Sequence, residues 1–242
     1  LNVYGSILGE WGLSILVETE NVKVLLDTGK SVTAVHNAQV LGVDLTKVDK
    51  IVLSHCHQDH TGGLREVLKH MKKERIEVIA HPEVWADRYN RREGRKERYV
   101  GIPYVRQELE NYGAVFNFTR DPIRLAQNVI TSGEVPMVTD FEKVSEGSDN
   151  RYRKEGDREI PDTIADDQAL FITLPEGLVV VTGCAHRGIV NTVYHAQKLT
   201  GEKRVYGVFG GSHLVASSGD SIAKKIEALN DLGVQKLGLC HC

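Results

Sequence analysis

Ser54-His55-Cys56-His57-Gln58-Asp59-His60-Thr61-Gly62-Gly63 ends one apolar run, Ile51–Ser54, and opens an amphipathic one, Thr61–Lys73. The first run reads as a buried strand. The second reads as a helix with Leu64, Val67, Leu68 and Met71 on one face. Four metal-ligating residues, His55, His57, Asp59 and His60, fall within six positions between them. On a straight strand their side chains would alternate between faces. In a tight strand-to-helix turn they can converge on one or two cations. Imidazole nitrogens with a carboxylate oxygen suit zinc, iron or manganese.

Two hairpins flank this turn in the reading. Leu13–Glu18 and Val22–Asp27 are apolar runs joined by a short polar turn, in a register that sets Ser14 opposite Asp27 with Glu10-Trp11-Gly12 just beyond. Gln168–Leu174 and Leu178–Thr182 form a second hairpin around Pro175-Glu176-Gly177. Its expected register sets Gln168 opposite Cys184 and brings Asp166 and Asp167 near His186. In Val181-Thr182-Gly183-Cys184-Ala185-His186 a histidine follows a strand and precedes a helix, Gly188–Thr200, whose free N-terminal amides would favour an anion. Both hairpins thus bring polar groups, Glu10 among them, to the same end; Asp166 and Asp167 are candidates to orient a metal ligand or touch substrate, the alternative being a pair of solvated loops, and Asp27 read alone is an ordinary Asp-Gly turn residue.

Elsewhere the pattern alternates helix and strand. Ser31–Val40 is expected as a helix ending near Gly42. Glu77–Ala80, Gly113–Phe118, Asn128–Thr131 and Arg204–Phe209 are expected as strands, and Ser221–Leu232 as a helix with Ile222, Ile226 and Leu229 in register. The whole reads as one α/β domain over residues 1–242, with an irregular insertion at about 84–165, and Glu142–Pro161 as loop. The insertion carries Trp85, Tyr89, Tyr99 and Tyr104. It also carries a basic run, Arg88, Arg91, Arg92, Arg95, Lys96 and Arg98, interleaved with Glu93 and Glu97. Those groups either cap a site or serve as packing and solvated charge.

Composition narrows the class. A net charge of -3 over 242 residues gives no basic field for nucleic acid. No apolar run approaches the roughly 20 residues that span a bilayer, and there is no signal-peptide pattern. Cys56, Cys184, Cys240 and Cys242 are too few and too irregular for a disulfide framework, so a reduced, cytoplasmic protein is expected. Membrane and nucleic acid are not expected as partners, and the sequence does not reveal an oligomeric state.

The His-rich turn, with Leu25-Leu26-Asp27-Thr28-Gly29 before it, resembles the metallo-β-lactamase superfamily, whose signature is H-x-H-x-D-H after a strand. The resemblance implies an α/β fold, a four-layer αββα sandwich, and a metal-dependent hydrolase or transferase. Carried over residue by residue, it implies that His55, His57 and His186 hold one metal. A second would be held by Asp59, His60 and the His241 of Cys240-His241-Cys242. Asp27 would orient a ligand, and Asp59 would also orient the nucleophile. The superfamily's usual bridging carboxylate has no counterpart; Gly210-Gly211-Ser212-His213 stands in its place. His213 is then a ligand, a catalytic or phosphate-binding residue, or a structural histidine. Glu10-x-Gly12-Leu13-Ser14, Gly133-Glu134-Val135-Pro136 and Asp166-Asp167-Gln168-Ala169-Leu170 further resemble one subgroup. It is that of the dihydropterin-ribofuranosylaminobenzene-phosphate synthases of methanopterin biosynthesis, although Trp11 and Ser212 stand where it usually has His and Phe. This implies a phosphorylated small-molecule substrate and one or two divalent transition metals, zinc first, with iron or manganese also fitting. The second reading is a metal-dependent hydrolase of a phosphoester, lactone or thioester. A nuclease or a non-catalytic metal-binding protein follows behind.

Overall fold

The computed structural model describes residues 6–91, 94–144 and 150–241. The chain packs as two compact units, Leu1–Trp85 with Gly101–Thr119, and Ala86–Val100 with Arg120–Cys242. The units interleave in sequence, so no single linker marks a boundary, and none is visible in composition.

The first unit holds a five-stranded sheet in the order Ile15–Glu18, Lys23–Leu26, Lys50–Val52, Ile76–Ala80, Ala114–Phe118. The first pair is antiparallel and the remaining neighbours are parallel. Ile15 pairs with Leu26, the expected register, and the Ser14 hydroxyl donates to the Asp27 carbonyl at 3.0 Å. Helices Thr33–Leu41 and Leu64–Met71 cover this sheet. Leu64, Val67, Leu68 and Met71 are buried, as their spacing requires, with Leu25, Ile51 and Val78. Each such side chain contributes about 1.5–3 kcal/mol of burial free energy. Thr33–Leu41 ends at Gly42 in the left-handed region (φ 71°), a conformation that suits glycine. Asp27, His55 and His81 follow the C-terminal ends of three parallel strands. That edge is where open α/β sheets place their sites.

The second unit holds a six-stranded sheet in the order Lys236–His241, Val205–Gly211, Gly177–Thr182, Ala169–Leu174, Val129–Thr131, Arg124–Ala126. The first three are parallel neighbours; the others pair antiparallel. Phe171, Val180, Val190, Val193 and Val208 form its core with helix Ile189–Thr200. The hairpin register differs by one residue from the expected one: Ala169 pairs with Thr182 and Leu174 with Gly177. Gly177 (φ 134°) is already in the strand, so the turn holds only Pro175 and Glu176, and the register shifts with it.

Among its described residues the segment 84–165 is partly regular, where an irregular insertion was expected. Asp87–Arg91, Arg98–Tyr99, Asn150–Glu155 and Arg158–Pro161 form a four-stranded antiparallel sheet, so Glu142–Pro161 is only partly loop. A two-residue turn, Gly156-Asp157, joins the last two strands, with Gly156 at φ 61°. That dipeptide is a hairpin signal the sequence did carry. The strands lack apolar alternation because polar contacts hold them. Tyr89 stacks on Tyr152 at 5.7 Å, the Lys154 amine lies 4.1 Å over Tyr89, and the Arg91 guanidinium lies 4.6 Å over Tyr152. Arg91 also pairs with Glu97 and Glu159, so this part of the basic run is neutralised within its own sheet. Arg92 and Glu93 lie outside the described residues. Trp85 packs edge-on against Phe116 at 4.9 Å and donates to the Tyr104 carbonyl. These contacts use the segment's aromatic rings for packing.

The last helix, Gly219–Asp231, is turned away from the expected face. Leu229 and Lys225 are buried while Ile226 is 55% exposed. The Lys225 amine donates to Ser221 Oγ at 2.8 Å and Ser217 Oγ at 3.4 Å, which lets a lysine sit inside.

Within helix Ile189–Thr200, His195 Nε2 lies 2.9 Å from the Ser132 carbonyl. Burial holds its imidazole below the ordinary histidine value, against the opposing pull of that bond. A lowered folded pKa means that the unfolded chain binds more protons near pH 6, so His195 favours folding above about pH 6.5 and opposes it below. NMR titration is expected to place this ring below pH 6.5, and His195→Gln should flatten the acid side of the stability profile. A ring titrating above pH 6.5 would overturn the assignment.

Candidate metal centre

In the first unit the His-rich turn is built around Asp27. The residue sits at φ 60°, in the left-handed region that non-glycine residues avoid without cause. Its buried carboxylate accepts from the Ser54 amide at 2.7 Å, from the Ser54 hydroxyl at 2.6 Å, and from His60 Nδ1 at 2.7 Å. His60 therefore carries its proton on Nδ1 and presents Nε2 as the ligand atom, the tautomer that a second carboxylate commonly fixes in metal sites. His55 lies with Nδ1 2.9 Å from Ser54 Oγ and Nε2 2.9 Å from His57 Nδ1. Its ring centre is 4.5 Å from that of His57 and 4.2 Å from that of His60. Asp59 is half-buried, with Oδ2 3.9 Å from His60 Nε2.

Two glycines let the chain close behind the histidines. A Cβ on Gly62 would come within 2.2 Å of the Lys30 carbonyl, and one on Gly63 within 2.0 Å of the Thr28 carbonyl. Both loops are thereby pinned, Thr28 N to His60 O at 2.7 Å and Gly63 N to Gly29 O at 3.0 Å. Glu10 holds this same loop: it accepts from Lys30 N at 2.8 Å and from the Ser31 hydroxyl at 2.5 Å. His81 was not singled out by sequence; its Nδ1 accepts from Glu83 N at 3.1 Å.

In the second unit, one ligand atom each of Cys184, His186 and His213 lies within 4.8 Å of the others. The two histidine rings are 4.2 Å apart. All three follow the ends of parallel strands, and Ala185 (φ 52°) and His213 (φ 46°) are strained to bring them together. Cys184 was missed as a donor. Its signal was position, two residues before a histidine in a loop that ends a strand. Arg151 reaches both rings, Nη1 at 3.0 Å from His186 Nδ1 and Nη2 at 2.9 Å from His213 Nε2. His241 lies on the edge strand Lys236–His241, and its carbonyl accepts from Ser212 N at 3.2 Å. Cys242 lies outside the described residues.

The acidic pair divides. Asp167 accepts from the Arg187 amide at 2.8 Å and so anchors the residue after His186. Asp166 instead takes the buried Arg88 guanidinium at 2.5 Å, with Asp162 at 3.2 Å. Two of the amides that the sequence suggests are free at the start of helix Ile189–Thr200 are taken. The buried Glu142 carboxylate accepts from Val190 N at 3.0 Å and from Asn191 N at 2.7 Å. Glu142 lies far back in sequence, in a polar stretch with no periodicity, so nothing local pairs it with this helix.

The donor sets fit a divalent cation. Three buried imidazoles in ring contact can all stay neutral and turn lone pairs to a metal, whereas three protonated rings would repel. In the second unit the Arg151 guanidinium can only donate, so the His213 ring accepts at Nε2 and carries its proton on Nδ1, which is buried with no hydrogen-bond partner among the described residues; a cation bound by this ring would need Arg151 to withdraw from it. Nitrogen, sulfur and carboxylate donors together suit zinc or iron better than magnesium or calcium.

Residues 12–197 match the family model of the metallo-β-lactamase superfamily. The chain belongs to that superfamily. Its fold is the metallo-β-lactamase fold, as the His-rich turn implied. This metallo-β-lactamase-superfamily chain is 34% identical over 239 residues to the 7,8-dihydropterin-6-methyl-4-(β-D-ribofuranosyl)-aminobenzene-5′-phosphate synthase of Methanocaldococcus jannaschii, covering 96% of this chain and 80% of the relative. It is 31% identical over 225 residues to an uncharacterised protein of the same organism, covering 93% and 80%. A solved metal-dependent hydrolase of the β-lactamase superfamily matches with a TM-score of 0.78 at 31% identity, covering 96% of this chain and 81% of that one. No helix among the described residues is long and apolar enough to cross a membrane.

Proposed function

We propose that this protein is a cytoplasmic, metal-dependent enzyme that acts on a phosphorylated small molecule, as a dihydropterin-ribofuranosylaminobenzene-phosphate synthase of methanopterin biosynthesis. One observation carries the reading: 34% identity to the synthase of that name across 96% of the chain. His55, His57, Asp59, His60, His186 and His241 are assigned as ligands to one or two cations, zinc first, with iron or manganese as the alternatives. Such a cation supplies Lewis acidity that stabilises negative charge on a departing phosphate or diphosphate.

The chain's own residues would do the rest. In the proposed reaction an arylamine nitrogen bonds to a pterin methyl carbon while the bond from that carbon to a diphosphate oxygen breaks. Asp59, half-buried beside His60, would orient the nucleophile and take the proton the nitrogen sheds. Asp27 would keep His60 in its tautomer, and Glu10 the loop behind it. His213 would act on the phosphate or as a further ligand. Metal analysis of the purified protein should find a transition metal, and the metal-loaded protein should join a dihydropterin diphosphate to an aminobenzene riboside phosphate with release of diphosphate. No uptake of zinc, iron or manganese would overturn the metal assignment. The solved relative named as a hydrolase favours a second reading, hydrolysis of a phosphoester, lactone or thioester. Turnover of such esters with no coupling to the arylamine would decide for it.

A further inference from the structure

The Arg151 guanidinium directs two of its N–H groups at imidazoles. Nη1 lies 3.0 Å from His186 Nδ1, and Nη2 lies 2.9 Å from His213 Nε2. A guanidinium ordinarily seeks a carboxylate or a phosphate, whose oxygens match its fork. It has donors only, so both ring nitrogens must accept. A neutral imidazole has one lone pair and one N–H. His186 therefore carries its proton on Nε2 and His213 on Nδ1, and each ring turns its one lone pair to Arg151. The same two rings, with Cys184, form a group whose ligand atoms lie within 4.8 Å of one another. A metal ion takes a neutral imidazole through its lone pair and leaves the proton on the other nitrogen. Whichever nitrogen the metal takes, Arg151 loses its acceptor on that ring.

The rings are brought to this meeting against backbone preference. Ala185 (φ 52°) and His213 (φ 46°) hold a left-handed conformation, and the two ring centres are 4.2 Å apart. The Arg151 backbone is fixed: it pairs with Asn90 in the sheet, and its carbonyl accepts from Asp162 N at 3.2 Å. Release of the histidines thus needs only a side-chain rotation, with the strand in place. A counter-charge is also near. Burial pushes the Asp162 carboxyl up, and Arg88 and Arg151 are among the charges that pull it back. We propose that Arg151 is an internal competitor for metal, a guanidinium that holds the lone pairs of His186 and His213 and leaves each ring that a divalent cation binds. The inference rests on the metal dependence proposed above and not on the substrate. The apparent affinity for a cation falls with the fraction of molecules whose ligands are available, so removing the competitor should tighten metal binding. Removing a residue that supports the ligands would act in the opposite direction, typically weakening binding by about 10–100-fold.

The test is competition with a chromophoric chelator for zinc and for cobalt, on wild type and Arg151→Met after chelator treatment, at matched circular dichroism. Arg151→Met should bind at least one metal equivalent about tenfold more tightly, the scale of one charge-assisted hydrogen bond. Equal or weaker binding by the folded variant overturns the competition. If Arg151→Met fails to fold, nitrogen NMR of the wild-type histidine rings decides. The chelator-treated protein should show His186 protonated on Nε2 and His213 on Nδ1, and zinc should change the tautomer or shift the accepting nitrogen of at least one ring. Both rings unchanged at full zinc loading would overturn the proposal. Metal uptake of equal affinity in both proteins removes only the role of Arg151, whereas uptake by neither removes the metal dependence and the competition with it. Tighter binding by Arg151→Met in a protein that never couples pterin to arylamine keeps the competition and overturns the synthase.

Discussion

Asp27→Ala is expected to destabilise the protein by about 3–5 kcal/mol and to strip it of most of its metal. The carboxylate is fully buried and serves three donors: the Ser54 amide, the Ser54 hydroxyl and His60 Nδ1. Deleting it leaves those donors buried without their acceptor, at about 1–3 kcal/mol for each unsatisfied group. Alanine must also hold φ near 60°, where a Cβ without a local side-chain bond is strained. The metal effect follows from the tautomer. Without Asp27 the carboxylate that holds the His60 proton on Nδ1 is lost, so Nε2 is no longer reserved by it as a ligand. Asp27→Asn keeps an acceptor and tolerates the left-handed backbone, so its loss should be clearly smaller. Urea denaturation with metal analysis on the same samples measures both. An alanine variant within 1 kcal/mol of wild type and with full metal content would refute the role assigned to Asp27.

Arg88→Ala should cost about as much, for a different reason. Arg88 is fully buried and holds Asp162 and Asp166, both nearly inaccessible. Breaking a buried ion pair from one side leaves uncompensated charge, typically about 3–5 kcal/mol. Burial already pushes the Asp162 carboxyl above the usual carboxylate range, and the Arg88 charge is the largest force pulling it back. Removing that charge should raise it further. A carboxyl whose folded pKa is raised binds its proton in the native state first, so the variant should regain stability as pH falls toward the ordinary aspartate range. Wild type, with Arg88 present, should show a weaker effect of this kind. Arg88→Met with Asp162→Asn and Asp166→Asn removes all three charges, and should recover much of the loss. A single alanine variant whose deficit is the same at pH 5 and pH 8 would show that the carboxylates are not the source. Because these residues tie strand Asp87–Arg91 to the loop that carries Asp167, the folded variant should also loosen the Arg187 anchor beside His186.

Sequence by itself determined the elements whose signal is local. The spacing of Leu64, Val67, Leu68 and Met71 dictates a helix with one buried face, because apolar groups at that interval can leave water together only on a helix. The turn length between Leu13–Glu18 and Val22–Asp27 sets a register, and with it the Ser14–Asp27 pairing. The crowding of His55, His57, Asp59 and His60 into one turn marks a metal-binding chemistry, and the order of motifs along the chain marks the superfamily. Tertiary structure alone decided what depends on distant partners. The strands at 87–91 and 150–161 are polar on both faces, and only stacked tyrosines, overlying cations and the Arg88–Asp162–Asp166 cluster make them a sheet. Glu142 sits in a stretch without periodicity, yet it takes the amides of a helix that begins some 47 residues later. The one-residue shift of the second hairpin turns on whether Gly177 belongs to the turn or the strand, a choice its composition leaves open. Lys225 lies inside and Ile226 outside because the serines of the preceding turn satisfy the ammonium, a compensation that no helical pattern encodes. Periodicity records which residues leave water along one element; it cannot record which charge, hydroxyl or amide from elsewhere will make a polar side chain stable inside.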